Sequence, residues 1–465
     1  MDHRHPRKFR WFLALTVLTL VVGASMAADL DADRLGTVQG DTLLVDLDRL
    51  VSLALEHNEQ LQAGRAMTEA AGAQATGAWS GFLPQLTVSK SFMRTDDALG
   101  SFGFKLNNRT VAAADFAPTS LNAPGESNLW ATRLQLLQPV FNGGMAWSGK
   151  SAADAAARAA ALDQARAEDT VALQCVQAYE GLALALAYTD VVQAAITSAE
   201  AHERQAQSLL DAEMATEADL LQARVFLSGL RQQLITVTNQ VDQAGEMIRL
   251  LTTVETPLVL AVSPGVRHAA DAEVPANTEV SARDDLLAHQ ARAEAAAAME
   301  GVARGAMLPH LNLGLRRDWI SRDKVLASDA DSWSLGVYAT WDVFKGLANV
   351  SNLKQARAER RAAGHLSDFR QRQARHEAQQ AWRNARAAAS RVDVAAGAMD
   401  AARESLRIVT NQYREGLADM VDLLDVQAAA IQAEGDLVQA RHDQQVELAR
   451  LAHAAGRRIH PGGNQ

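Results

Sequence analysis

Two aspartates three residues apart, Asp422 and Asp425, are the side chains of this sequence whose type and spacing most invite a chemical reading. They sit in Met420-Val421-Asp422-Leu423-Leu424-Asp425, directly after Tyr413-Arg414-Glu415-Gly416-Leu417-Ala418-Asp419. That order reads as a helix end, a turn and a new helix: Gly416 supplies the positive-φ residue and Asp419 can cap the second helix. Carboxylates at i and i+3 share one helix face, and in a first turn they interact favourably with the helix dipole. Their chemistry is therefore electrostatic. Nothing else in the chain suggests catalysis. No HExxH, GxSxG, Walker loop or strand-borne GxGxxG occurs. His365 and His376 fall on a charged helical stretch and read as solvated, and Cys175, in an Ala- and Leu-rich helix, reads as a small buried hydrophobe. The single cysteine also excludes a disulfide framework and a multi-cysteine zinc site. The expectation is a protein with no enzymatic activity, no metal and no cofactor. A net charge of −10 speaks against a nucleic-acid partner.

The elements that must position these residues are read from composition and from proline. Hydrophobic residues make up 48% of the 465, yet aromatics only 5%, and alanine alone is about a fifth, so close-packed long helices are expected rather than thick aromatic cores. Proline breaks helix interiors, and its ten occurrences leave two long free tracts, 140–256 and 310–460. Both carry apolar residues at spacings of three and four, as in Leu220, Leu221, Val225 and Leu227. A helix from Met145 to Leu210 would be about 99 Å long.

At the N-terminus, Arg4, Arg7, Lys8 and Arg10 precede an apolar run from Trp11 to Val22 and then Gly23-Ala24-Ser25-Met26-Ala27-Ala28, the organisation of a secretory signal peptide. Cleavage is expected after Ala27. Twelve apolar residues reach only about 18 Å as a helix, short of the hydrocarbon core. No cysteine comes after the small residues, so a lipoprotein is not expected. Loss of residues 1–27 removes four positive charges and one negative and leaves a mature chain near −13. No later run of 18 or more apolar residues occurs, so a membrane-spanning helix is not expected.

The two tracts also repeat each other. Val140-Phe141-Asn142-Gly143 answers Val343-Phe344-Lys345-Gly346, and Asp219-Leu220-Leu221 answers Asp422-Leu423-Leu424, both at an offset of 203 residues. Upstream, Leu83-Pro84-Gln85-Leu86 answers Leu308-Pro309-His310-Leu311 at an offset of 225. The 22 extra residues of the first copy fall in about 95–127, a stretch rich in Gly, Asn, Ser, Asp and Pro that reads as loop. Only the second copy has glycine at its far turn. The first has Asp211-Ala212-Glu213-Met214-Ala215-Thr216-Glu217-Ala218-Asp219, so the two tips are expected to differ in shape.

Between the LP and VF signals the period changes to two. Trp333, Leu335, Val337, Ala339 and Trp341 alternate with Ser334, Gly336, Tyr338 and Thr340. Leu311, Leu313, Leu315 and Trp319 oppose Asn312, Gly314, Arg316 and Asp318; in the first copy Trp130, Leu134 and Leu136 oppose Arg133 and Gln135, and Leu86, Val88 and Phe92 oppose Thr87, Ser89 and Ser91. Apolar faces bounded by tryptophan are the pattern of outer-membrane strands, and Trp333 to Trp341 spans roughly 26 Å of strand, near the thickness of that membrane at a 40° tilt. Two amphipathic hairpins on a soluble core are the alternative. Four strands cannot close a barrel and open edges are not tolerated in lipid, so the membrane reading requires several copies.

A signal peptide followed by two tandem copies of helix, LPxL, strand hairpin, VF(N/K)G, very long helix and sharp return resembles the TolC-like outer-membrane efflux protein family (the outer membrane factors), over roughly residues 45–456. The resemblance implies a mainly α fold with a membrane β-barrel portion: a homotrimer with a trimeric α-barrel of long helices and a 12-stranded β-barrel, four strands per chain, in the cell outer membrane with the tunnel extending into the periplasm. The domains expected are a signal peptide (1–27), a first repeat (28–253, hairpin about 85–141), a linker or equatorial segment (254–280), a second repeat (281–456, hairpin about 309–344) and a C-terminal tail (457–465). The implied function is passive conduction from periplasm or inner-membrane pump to the exterior within a tripartite export system. Its partners would be a periplasmic adaptor (membrane fusion) protein, an inner-membrane transporter and outer-membrane lipid. Alternatives are the duct of a type I protein secretion system or a periplasmic coiled-coil structural or adaptor protein. By the same resemblance Asp422 and Asp425 face the pore as carboxylate rings, which at a constriction attract cations and repel anions. Tyr413 and Asp219 match positions that tie neighbouring tip helices shut, although the arginine of that network is replaced by Ala418. Gly416, Leu417 and Leu221 lie where an adaptor docks. Trp130, Trp319, Trp333 and Trp341 would form the aromatic girdle.

Overall fold

The computed structural model describes residues 34–256, 258–262, 280, 283–326 and 328–459. The expected signal peptide, residues 263–279 of the expected linker and residues 460–465 of the expected tail lie outside these. In chain order the elements are β1 (Gly36–Gln39), β2 (Thr42–Val45), α1 (Leu47–His57), α2 (Glu59–Gly77), β3 (Gln85–Thr95), α3 (Ala98–Asn107), α4 (Pro118–Asn122), β4 (Ser127–Phe141), α5 (Met145–Asp211), α6 (Glu217–Thr252), β5 (Val259–Val262), α7 (Asp284–Gly305), β6 (His310–Ser321), β7 (Ala330–Thr340), α8 (Ala348–Arg414) and α9 (Met420–Ala454). The protein is mostly helical, with two sheets ordered β1-β2-β5 and β3-β4-β6-β7.

The repeat is realised in the backbone. α5 and α8 are both 67 residues long and begin and end 203 residues apart. Both are entered through paired positive-φ residues, Gly143 and Gly144 in one copy and Gly346 and Leu347 in the other. The hairpins keep the same register: Gln85 pairs with Leu137, and their counterparts His310 and Thr340 pair with each other.

The described residues divide into two compact units, those within 34–66, 162–286 and 370–459 forming one, and those within 67–161 and 287–369 the other. In the first, Leu43, Val45, Leu50 and Leu61 pack on Val171, Cys175, Tyr179 and Leu182 of α5 and on Ile248 and Leu251 of α6. An 18-residue window of α5 is apolar enough, by length and composition, to cross a membrane, and 39% of it is buried within the protein. Burial pushes the Cys175 thiol up to about 12, far from any nucleophilic thiolate at neutral pH. Here β5, from the segment expected as a linker, pairs parallel to β2. Four-residue strands with a sequence-remote partner leave too little periodicity to be read in advance.

In the second unit, α7 and α8 are fastened by the buried Glu300, which accepts from Arg360 (2.9 Å), Arg304 (2.5 Å) and Arg357 (3.2 Å). These guanidiniums hold its carboxyl down to about 2. The stretch 95–127, expected as loop, contains the ten-residue helix α3, whose N-terminus is capped by Asp97 accepting from Gly100 N at 2.6 Å. Two glycines within it masked the helical pattern, and Phe102 packing on Phe116 (centroids 5.6 Å apart) supplies a tertiary contact that propensity does not see.

Candidate functional site

Side chains alternate along a strand, so the register of the four-stranded sheet decides which residues share a face. Leu86 pairs with Leu136, Leu136 with Leu315 and Leu315 with Leu335, giving one row of four leucines across all four strands. The next row toward the hairpin loops is Val88, Leu134, Arg317 and Trp333. On the opposite face the corresponding rows are Thr87, Gln135, Arg316 and Ser334, then Ser89, Arg133, Asp318 and Ser332. The four alternating patterns thus align into one polar face and one face that is apolar around the leucine row and mixes Arg317, Lys90, Thr132 and Asp331 with tryptophans toward the loops. Val140 is extruded as a bulge between Pro139, which pairs with Asn312, and Phe141, which pairs with Leu311. The bulge places Phe141 in the apolar row beside Leu311, and Pro139 has no amide hydrogen to lose there.

Trp333, Trp319 and Trp130 occupy three successive rows at the loop end of the apolar face. Trp319 lies under the Arg317 guanidinium at 5.2 Å, and Trp130 packs on Phe92 with centroids 4.5 Å apart. Trp341 falls one residue past β7, and its indole N–H donates to Met307 O at 3.0 Å. The apolar face is uncovered: Trp333 is 73% and Leu335 61% exposed. β3 and β7 are the sheet's two edges, with no strand beyond either among the described residues. On the polar face Arg133 and Arg316 both donate to the buried Asp318, at 2.8 and 2.5 Å. These three residues showed in the sequence only as polar members of an alternation, and the cross-strand register is what joins them.

At the far ends of the long helices the two returns share one backbone motif, contrary to the expected difference. Leu417 N donates to Gln412 O and Gly416 N to Tyr413 O; 203 residues earlier, Met214 N donates to Leu209 O and Glu213 N to Leu210 O. Gly416 has φ +75° and Glu213 φ +60°, so a glutamate occupies the left-handed position that glycine fills in the second copy. Cooperative closure of the helix end outweighs the local strain.

Around these turns the tip residues take distinct places. Asp419 caps α9 by accepting from Asp422 N at 2.8 Å. Asp422 and Asp425 are exposed, and neither carboxylate has a partner among the described residues. Asp219 is committed to a capping box on α6, accepting from Thr216 N at 2.9 Å and from its hydroxyl at 2.8 Å. Tyr413 is buried among Ala206, Leu220, Met420 and Leu423, and its hydroxyl has no partner among the described residues; burial, then the Asp219 charge, push its pKa up. Ala418 packs against that cluster. Leu221, with Val225, Phe226, Val421 and Leu424, lines an open apolar groove of about 450 Å³ that Asp425 borders. Gly416 and Leu417 are exposed at the turn.

One buried polar node was not anticipated. Arg283 donates to Asp285 (2.7 and 3.0 Å), to Glu377 (3.0 Å) and to Ala454 O (3.2 Å), while Arg166 donates to His453 O at 3.0 Å. Arg166 also reaches His453 Nδ1 at 3.2 Å, and Thr170 Oγ1, which donates to Arg166 O, lies 3.3 Å from Nε2. The imidazole therefore accepts at Nδ1 and donates at Nε2. Burial, then Arg166 and Arg283, push it down to about 4. Its residues are scattered over the sequence, and no local motif announces them. No group of acidic, histidine or cysteine side chains able to hold a metal occurs among the described residues.

These features define a class: a two-repeat protein of long antiparallel helices carrying a membrane-type sheet that is apolar on one face and open at both edges. A family profile described as Outer membrane efflux protein matches residues 50–253 and 277–457. The Outer membrane efflux protein BepC of Brucella suis is 22% identical over 408 residues, 87% of this chain and 84% of that protein. Among solved structures, CusC superposes with a TM-score of 0.78 at 18% identity, covering 90% of this chain and 95% of that one. The Campylobacter jejuni CmeC outer membrane channel gives 0.75 at 19%, covering 91% of each. The chain belongs to the outer membrane efflux protein family. It is an efflux channel of the outer membrane with a periplasmic helical tunnel, and its family is one of channels rather than an enzyme class.

Proposed function

We propose that three copies pool their sheets into a 12-stranded barrel and their helices into one tunnel, docked to a periplasmic adaptor and an inner-membrane transporter, which conducts solutes passively. The observation that carries this is the sheet itself: one face has a continuous leucine row flanked by tryptophans, the other is polar, and β3 and β7 are unpaired. In lipid every edge must be paired, so the edges call for further copies. Two copies would make an eight-stranded barrel whose interior side chains fill, whereas three leave a lumen. The aromatic girdle is Trp130, Trp319 and Trp333 toward the loops and Trp341 at the opposite end. The domain plan is two repeats, 28–253 and 281–456, either side of an equatorial segment. Leu221, Gly416 and Leu417 offer the adaptor an exposed tip surface, and Tyr413 with Asp219 stands where neighbouring tips tie.

Asp422 and Asp425 are the pore rings. Like charges at i and i+3 on an exposed face destabilise a helix by a few tenths of a kcal/mol, and neither carboxylate gains a partner within the chain's described residues to offset this. In planar bilayers, the double variant Asp422→Asn/Asp425→Asn should conduct with several-fold weaker block by multivalent cations. Unchanged block would remove both residues from the pore.

A further inference from the structure

The internal repeat, applied a second time, names a contact between copies. Within the chain the first repeat meets the second through α5 and α7: Arg158 pairs with Glu294, and the Gly143 turn packs on Gly305. The offsets of 203 and 225 carry these residues onto Arg361, Glu69, Gly346 and Ser80. Arginine maps onto arginine and glutamate onto glutamate. Both Arg361 and Glu69 are exposed, and neither has a partner among the described residues. Coverage gives an independent sign. Ala155 and Ala159 of α5 are each 2% exposed, whereas Ala358 and Ala362, their counterparts on α8, are exposed. The second repeat thus presents uncovered the surface that the first has covered within the chain.

We propose that the step from first to second repeat is repeated from the second repeat to the first repeat of the partner subunit, so that Arg361 pairs with Glu69 of the partner subunit. Alike repeats let one junction geometry serve twice around a closed ring, and the identical hairpin registers and helix bounds show that the repeats are alike enough for this. The same step seats Gly346 against Ser80 of the partner subunit, as Gly143 seats against Gly305. The proposal rests on the ring of copies given above, and it specifies which side chains meet.

The test is the full-length double variant Glu69→Cys/Arg361→Cys in outer membranes, treated with a short bismaleimide. The one native cysteine, Cys175, is buried and should not react. Covalent dimers and trimers should form in the double variant and be absent from either single variant, and Glu69→Arg/Arg361→Glu should restore heat resistance to the oligomer that each single reversal weakens. Formaldehyde cross-linking of unaltered protein is run in parallel. If it traps oligomers while the cysteine pair yields none, the pairing is wrong and the ring stands; if neither yields oligomers, the ring itself fails and the pairing with it.

Discussion

Three glycines with similar backbone angles but different neighbours give a measurable contrast. Gly143, Gly346 and Gly416 have φ of +64°, +58° and +75°. Alanine at any of them suffers the left-handed strain of an L-residue, about 1 kcal/mol. At Gly416 that is the whole cost, because a Cβ there meets nothing within 4 Å and the equivalent position already holds Glu213. At Gly143 a Cβ would lie 2.4 Å from Gly305 O and 2.9 Å from Leu308 Cβ. The nearer atom is backbone and cannot rotate away, so overpacking adds about 2 kcal/mol and brings the total near 3. At Gly346 a Cβ meets nothing in the isolated chain, but the proposed junction places Ser80 of the partner subunit where Gly305 stands for Gly143. Gly346→Ala should therefore resemble Gly143→Ala in the assembled protein. The assay is dissociation of the detergent-purified oligomer on heating, read by gel mobility. Gly346→Ala should lie about 2 kcal/mol below Gly416→Ala in this assay, roughly 30-fold in the dissociation equilibrium, while Gly143→Ala, whose clash lies within the chain, should lie about 2 kcal/mol below Gly416→Ala in chemical denaturation. Gly346→Ala behaving like Gly416→Ala would refute the junction, and Gly143→Ala doing so would refute the steric reasoning itself.

Glu213→Gly should stabilise the first-repeat tip by about 1 kcal/mol, measured by chemical denaturation, because glycine relieves the positive φ while the Met214-to-Leu209 bond is kept; a loss of stability would show that the glutamate side chain itself contributes. His453 supplies a pH dependence. Folded, it protonates only near pH 4, whereas unfolded it does so near the ordinary 6.5, so between these values the unfolded chain holds more protons and acidification favours unfolding. Its contribution is complete above about pH 6.5 and lost as pH falls to about 4, amounting to about 2 kcal/mol after allowance for its partial exposure. His453→Gln, able to accept from Arg166 and donate to Thr170, should flatten that part of the pH–stability curve; an unchanged curve would exclude the node as its source.

Periodicity and proline made much of the fold legible. The alternation around Trp333 and the spacing of the VF(N/K)G signals translate directly into β7 and into the start of α8, because strand alternation and helix capping are local. The tip was legible at Gly416 and misread at Glu213, where a closed pattern of backbone bonds overrides residue preference. The node of Arg166, Arg283, Asp285, Glu377 and His453 was not legible, since its members are brought together only by packing. β5 was hidden for the same reason: it has a partner in β2 more than 200 residues away and no pattern of its own. Helix α3 was obscured by its glycines.

The duplicated helices differ most in charge. Over its 67 residues α5 carries 4 basic and 9 acidic side chains, whereas α8 carries 13 basic and 6 acidic. Two repeats of one fold need not diverge in this way for their own stability, because exposed charges contribute little singly. A surface that adjoins a second copy is under a further constraint, because complementary potentials across a junction favour the matched partner. Within the chain α5 meets α7, which carries two basic and four acidic side chains, whereas in the proposed junction the basic α8 meets α2 of the partner subunit, which carries one basic and two acidic. The basic excess of α8 against the acidic excess of α2 therefore suits the contact in which Arg361 meets Glu69 of the partner subunit.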